Sequence, residues 1–225
     1  ENVSVEGYSW TGGISGYLTG EITNCFVKGK IKSEKAAAGL VSVAWGTVHN
    51  CHTKVDIIGS SSSGLVSYSR ATVTECSSSG NLIGKTCGGL VGLYWDGRIT
   101  DCFSNCDVKS TGTLTDTLIG AGLVGINRWV ITNCYATGKV EGRDHSGGLV
   151  AVDSPGQQYP TEVIDSFYDY ETTGQYYGIL WNWNNYGIPK STKDMMDPAT
   201  FENWDFENVW WMIPGKTYPL LRPER

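Results

Sequence analysis

The chain repeats itself, and this limits what it can fold into more tightly than any single residue does. Two anchors recur along it, a Gly-Leu-Val element and, further on, a Val/Ile-x-Asn-Cys element. The second Gly of the first anchor falls at Gly13, Gly39, Gly64, Gly89, Gly122 and Gly148, in steps of 26, 25, 25, 33 and 26. The second anchor falls at Cys25, Cys51, Cys76, Cys102 and Cys134, with Ser166 in the sixth place, in steps of 26, 25, 26, 32 and 32. The long steps come from inserts near residues 110–120 and 153–162. Inserts of this kind read as loops that leave the repeats in register.

After each Cys the sequence alternates with period two. In the fifth repeat Cys134, Ala136, Gly138 and Val140 share one face, and Tyr135, Thr137, Lys139 and Glu141 share the other. That pattern describes a strand with one buried face. Ile22 and Cys25 should both be buried, yet they are three apart, so the chain must bend between them. The residues at that bend are Asn24, Asn50, Glu75, Asp101, Asn133 and Asp165. Asn and Asp tolerate the left-handed backbone that a tight corner needs.

A repeat of this length with short strands and no helical period predicts an all-β, parallel β-solenoid (β-helix) of about six coils. Right-handed winding is expected, because parallel crossovers strongly favour that hand. A β-propeller is disfavoured, since its blades need roughly 40 or more residues. The solenoid should occupy residues 1–170, and a segment of the same domain, 171–225, breaks the repeat and should cap it. Within that segment MMDPATFENW predicts a short helix with Asp197 as N-cap and Pro198 in its first position. WDFENVWWMI reads as a strand, followed by a turn at Pro214–Gly215. WNWNNY, at 181–186, reads as a loop and a lesser candidate for sugar contact.

The phrase GAGLVGINRWVITNCYATGKVEG in the fifth coil resembles the GLUG repeat of bacterial surface proteins, and the tail from KSTKDMMD to YPLLR is similar to the segment that often closes such arrays. The resemblance implies an exported bacterial protein, at the cell surface or secreted, like the immunoglobulin A protease-like metallopeptidases and adhesins that carry such arrays. It implies no catalysis by the array itself. The chain begins at Glu1 without Met or leader, and reads as a piece of something longer. The family pattern carries an Asn after GLVG, which survives here only as Asn127.

Composition excludes several classes of partner. Seventeen Lys and Arg against 23 Asp and Glu give a net charge of −6 with no basic run, which disfavours nucleic acid. No stretch approaches the ~18 apolar residues of a membrane span. The chain holds seven Cys. Five sit at one inward position, which reads as a stack of buried free thiols rather than a disulfide framework. Cys106 should also point inward, and Cys87 has no evident partner. His49, Cys51 and His52 cluster in sequence, but alternation separates them. No CxxC pair, HExxH helix, GxSxG elbow or phosphate loop is present, so no metal, cofactor or catalytic motif is expected. Asp96 and Asp153 would lie two rungs apart at ~9.6 Å, near the upper limit for an inverting glycosidase pair, and read mainly as turn residues. Asp144, Asp169 and Glu171 read as surface carboxylates without partners.

The aromatic edge is the sharper signal. Counting from the second Gly of each anchor, Tyr17 and Tyr68 fall four residues on and Tyr94 five on. Trp45, Arg70, Trp95 and Arg128 fall six on, and Trp129 follows. The candidate ligand-binding residues are therefore Trp45, Tyr68, Tyr94, Trp95 and Trp129, in a row along one edge where the family pattern is not aromatic. Flat aromatic faces stack on the apolar faces of sugar rings, so such a row suits a linear polysaccharide or host glycan. Three functions stay open: a non-catalytic glycan-binding or adhesive module, a structural stalk for neighbouring domains, and a polysaccharide lyase or hydrolase.

Overall fold

The structure is a computed structural model, described for residues 2–153, 161–178 and 187–223. Among these residues the parallel strands form three sheets running along the molecule. The chain is a β-solenoid of about six turns. The second coil shows how one turn is made. Ala36–Ala38 lies in the first sheet, Val41–His49 in the second and His52–Ile58 in the third. Each residue pairs with its equivalent one repeat away, for example Ala37 with Ser62, Val41 with Val66 and Ile57 with Leu82.

The corner after the second sheet is where the sequence places it. Asn24, Asn50, Glu75, Asp101, Asn133 and Asp165 all have left-handed backbone, with φ between 44° and 55°. The side-chain amide of Asn50 donates to Oδ1 of Asn24 on the neighbouring coil at 2.8 Å. The Gly anchor has a different cause. A Cβ on Gly39, Gly64 or Gly89 would collide with the carbonyl oxygen of the same Gly one coil further on. The coils therefore approach too closely there for any side chain.

Inside, Leu40, Leu65, Leu90, Leu123 and Leu149 stack in one buried column, and Val48, Val73, Ile99 and Ile131 in another. The thiols form a third. Cys51, Cys76, Cys102 and Cys134 are buried and all seven Cys are free. The backbone N–H of Cys51 donates to Sγ of Cys76, and that of Cys76 to Sγ of Cys102, each at 3.4 Å. In the sixth coil Ser166 takes the sulfur's place, its Oγ accepting from the Cys134 N–H at 3.0 Å. Cys25 departs from expectation in being only half-buried. The strand on its outer side begins at Asn2, which pairs with Lys28, so no described residue covers Cys25 from that side. Cys87 lies in a buried column between Ser62 and Gly120. Cys106 lies inside between Gly80 and Gly138 positions, as alternation requires.

Burial raises the thiols of Cys25, Cys76, Cys87, Cys102 and Cys106, and chiefly the bond to Cys76 raises that of Cys51; Cys87 and Cys106 are pushed up to about 12. Thiolate is the reactive form. A thiol reagent at pH 8 should modify Cys25 fastest in the folded chain, because it alone of the seven is not fully buried, and all seven Cys once it is denatured without reductant. Fewer than five free thiols in the denatured sample would refute the stacked-thiol core.

The C-terminal segment does two things. Residues 176–178 and Ile188–Lys190 extend the last coil: Gly178 O accepts from the Val150 N–H at 2.9 Å, and Phe167 pairs with Ile188. Residues beyond 190 then fold back along the flank rather than over the end. There Phe201, Trp204 and Trp210 bury an aromatic column on the outside of the third sheet, formed by Phe103, Tyr135 and Phe167. Pro198–Phe201 is a short 3-10 helix with Asp197 accepting from the Ala199 N–H at 3.0 Å, as its sequence predicts. The expected strand WDFENVWWMI is mostly turn. Only Trp210–Trp211 pairs, antiparallel to Leu220–Leu221, because Asp205 turns the chain: its Oδ1 accepts from the Glu207 and Asn208 N–H groups and its carbonyl from those of Val209 and Trp210. The WNWNNY loop and most of the second insert lie outside the described residues.

Candidate functional site

The aromatic edge sits where the strand of the second sheet bends. In the first two coils Ser15–Thr23 and Val41–His49 run through the bend. In the third coil the strand stops at Ser69 and resumes at Thr72, and the fourth coil breaks likewise between Tyr94 and Arg98. Outward positions before the bend form the column Tyr17, Val43, Tyr68, Leu93 and Ile126. At the bend itself stand Trp45, Arg70, Trp95 and Arg128.

These side chains form an alternating stack. The Arg70 guanidinium lies 5.4 Å from the Trp45 ring centre and 5.7 Å from that of Trp95. Arg128 covers Trp95 at 3.7 Å. Tyr17 flanks Trp45 at 5.8 Å, and Tyr68 flanks Trp95 at 6.0 Å. Cation–π contacts of this kind contribute roughly 0.5–1 kcal/mol each where exposed. Trp95 thus has guanidinium groups for neighbours and is half-buried, whereas Trp45 is 44% exposed.

Two candidates do not belong to an exposed row. Tyr94 is 0% exposed. It occupies the inward column between Ser69 and Asn127, and its hydroxyl donates to the Val130 carbonyl at 3.4 Å. Position five after the Gly is an inner position, and Tyr94 fills space that Ala44 and Ser69 leave in other coils. Trp129 is half-buried and packs against the core. Its backbone is held by Asn127, whose Oδ1 accepts from the Trp129 N–H at 3.2 Å and whose Nδ2 donates to the Trp129 carbonyl at 3.1 Å. The Asn of the GLVGxN phrase therefore closes a turn. Ser69 does the same more weakly, accepting from the Ala71 N–H at 3.2 Å.

What the edge does form is a cleft of about 650 Å³ lined by Trp10, Gly16, Tyr17, Val43, Trp45 and Tyr68. Trp10 and Tyr17 are each 52% exposed. Trp10 precedes the first anchor and so escapes any count from it, while Tyr17 shares the column of Tyr68 and was findable by alignment. Trp10 also has left-handed backbone, φ 39°, an unusual state for a bulky residue.

The carboxylates are scattered and occupied. Oδ1 of Asp96 accepts from the Gly97 N–H at 2.7 Å, and Oδ2 of Asp153 accepts from the Thr161 hydroxyl at 2.7 Å. Asp144 pairs with Arg143 at 2.9 Å. Asp169 is not on the surface. It is buried and caps a helical turn, Tyr170–Thr173, and its Oδ2 accepts from the hydroxyls of Thr192 and Tyr218, each at 2.7 Å. Glu171 accepts from the Thr192 N–H at 2.7 Å. His49 and His52 point to different partners, Thr74 and Ser77, and among the described residues no three His, Cys, Asp or Glu gather as a metal site.

The chain is similar to a known protein over part of its length. Over 116 residues, 50% of this chain, it is 38% identical to a protein of Evansella cellulosilytica provisionally named a Gly-rich membrane protein. The match spans only 12% of that protein's length. No protein-family model and no solved structure matches the chain. Among the described residues no helix is long and apolar enough to cross a membrane.

Proposed function

We propose that this chain is a non-catalytic module of a bacterial cell-surface or secreted protein, with coils of the GLUG type, that holds a linear glycan in the aromatic cleft. The observation that carries the reading is the convergence of Trp10, Tyr17, Trp45 and Tyr68 on one open cleft. Exposed aromatics grouped around a concavity mark binding surfaces more often than scattered ones do. The cleft's lining is rich in rings and poor in ionisable groups, which suits stacking on sugars and offers no acid–base pair. The relative's name associates that protein with a membrane, in keeping with a surface location.

Each ring contributes roughly 0.5–1.5 kcal/mol, by analogy with aromatic pairs. The module then binds with micromolar to millimolar affinity, about −8 to −4 kcal/mol, and multiple copies raise the total. In affinity gels containing a panel of polysaccharides, the chain should be retained by at least one polymer. Trp45→Ala with Tyr68→Ala should reduce that retention roughly 10-fold or more, about 1.4 kcal/mol or more, while the thermal melt moves by only a few degrees. The alternating Trp–Arg stack favours a second reading, a stiff spacer in which the rings tie consecutive coils together. A collapsed melt in the double variant, or no retention of the wild-type chain on any polymer, selects that reading.

A further inference from the structure

We infer that the glycan bound at this edge is acidic, with its carboxylate or sulfate groups held by Arg70 and Arg128. This rests on the glycan-binding reading of the same cleft. It adds a class of ligand, and it comes from charge rather than from the rings.

The chain is acidic, with a net charge of −6. Four of its 17 Lys and Arg are held in ion pairs among the described residues. Lys32 pairs with Glu6, Lys85 with Asp116, Lys139 with Glu141 and Arg143 with Asp144. Arg222 donates to the carbonyls of Trp210 and Phe206. Arg70 and Arg128 behave differently. Among the described residues neither has a carboxylate or carbonyl partner, and their recorded contacts are with indole rings. Both stand against the same ring, Trp95, so two positive charges lie along one edge, and among the described residues neither is paired with a carboxylate.

The donors at this place point the same way. A guanidinium and an indole can donate hydrogen bonds but cannot accept them. Arg70 is exposed and Arg128 half-buried; Nε of Arg128 and Nε1 of Trp95 are enclosed, so the donors open to a ligand are the outer guanidinium N–H groups. A row of donors beside an apolar cleft fits a ligand with an apolar ring face and a group rich in acceptors. A uronic acid or a sulfated sugar has both, and a guanidinium meets a carboxylate or sulfate through paired N–H bonds. Stacking on Trp45 and Trp95 also fixes the Arg70 guanidinium in place before any ligand arrives, which reduces the ordering that binding requires. Asp96, beside Trp95, is turned to the Gly97 N–H. At physiological salt the Debye length is about 8 Å, so the chain's remote negative charge is largely screened at the cleft.

The test uses paired polymers in affinity gels: polygalacturonate against its carboxyl-reduced form, and dextran sulfate against dextran. The first pair reads a carboxylate and the second a sulfate. The acidic member of at least one pair should be bound at least 10-fold more tightly than its neutral partner. That preference should weaken with added salt. Arg70→Gln should remove it while the melt moves by only a few degrees, and Arg70→Lys should keep part of it. Trp45→Ala should weaken both members of a pair. Equal binding of acidic and neutral members, or a preference that survives Arg70→Gln, overturns the acidic assignment and leaves the glycan reading intact. Retention by neutral polymers of the wider panel but by neither acidic polymer does the same. No retention on any polymer removes both.

Discussion

Gly89→Ala should destabilise the chain by about 3 kcal/mol or more, the upper part of the range for adding a methyl group to a close-packed interior. The added Cβ would land on the carbonyl oxygen of Gly122 and against the hydroxyl of Ser104. The first is backbone, and neither is the loose end of a long side chain. Relief therefore requires the fourth and fifth coils to move apart, which breaks the Gly89 N–H to Ala121 carbonyl bond and its neighbours, such as Leu90 N–H to Leu123. For a domain of this size the melting temperature falls by roughly 2–4 °C per kcal/mol, so a drop of about 6–12 °C is expected. A solenoid couples each coil mainly to its neighbours. Amide exchange should accordingly accelerate first in the coils on either side of residue 89. Gly174→Ala is the control. Gly174 has φ 68° with nothing near its missing Cβ, and the change should cost only the ~1–2 kcal/mol of a left-handed residue. Equal effects at the two sites would show that steric contact between coils is not what selects Gly in the anchor.

Much of the fold was legible because a solenoid writes the same physical demand once per coil. Six corners needed left-handed backbone, and Asn, Asp or Glu stood at all six. The stacked thiols, the inner Leu and the short helix capped by Asp197 were readable for the same reason: each follows from local spacing. The flank was harder. The residue after each anchor Cys, or after Ser166 in the sixth coil, points outward and runs Phe26, His52, Ser77, Phe103, Tyr135 and Phe167. Aromatic rings at three consecutive outward positions signal a cover over the last coils. Alternation alone only says that these residues face out. Where the tail's own indoles go depends on distant contacts, such as Trp204 with Asp165 at a separation of 39 and Trp210 with Asp101 at a separation of 109, which no local pattern records.

The site was partly legible for a related reason. Spacing from the Gly anchor located the bend and most of its residues, including both Arg of the stack. It placed Tyr94 on the wrong side, because a large residue was assumed to stand outside where its neighbours in the column are small. Period-two alternation through Leu93 and Tyr94 gives the inner side. The cleft also draws on Trp10, which lies outside the repeat count and reaches Tyr17 and Trp45 only through the third dimension.

Trp210→Ala should loosen the flank by about 3–5 kcal/mol, the cost of truncating a large buried aromatic. Trp210 is fully buried. Its ring centre lies 6.2 Å from Phe103, 6.1 Å from Tyr135 and 4.6 Å from Trp204. It is also bonded to a corner, since its indole Nε1–H donates to Oδ1 of Asp101 at 3.0 Å. Trp210→Phe separates the two roles, keeping most of the ring and losing the bond. Burial raises the Asp101 carboxyl, while the Trp210 and Asn133 donors pull it back. Removing the indole donor raises it further in the folded chain. A carboxyl raised on folding favours the protonated form, so its stabilising effect is present below the unfolded value, about 3.9, and is lost as pH climbs through the folded value. The deficit of Trp210→Phe against the wild type should therefore be largest at pH 7, about 1.5 kcal/mol for a bond to a partly screened charge. It should shrink towards the ring-packing difference alone near pH 3.5. Urea melts of both variants at the two pH values provide the measurement, with tail release followed by limited proteolysis beyond residue 190. A deficit that does not change with pH would show that the indole bond to Asp101 contributes nothing. A Trp210→Ala chain that melts within 1 kcal/mol of the wild type and resists cleavage there would show that the segment rests on the solenoid without clamping it.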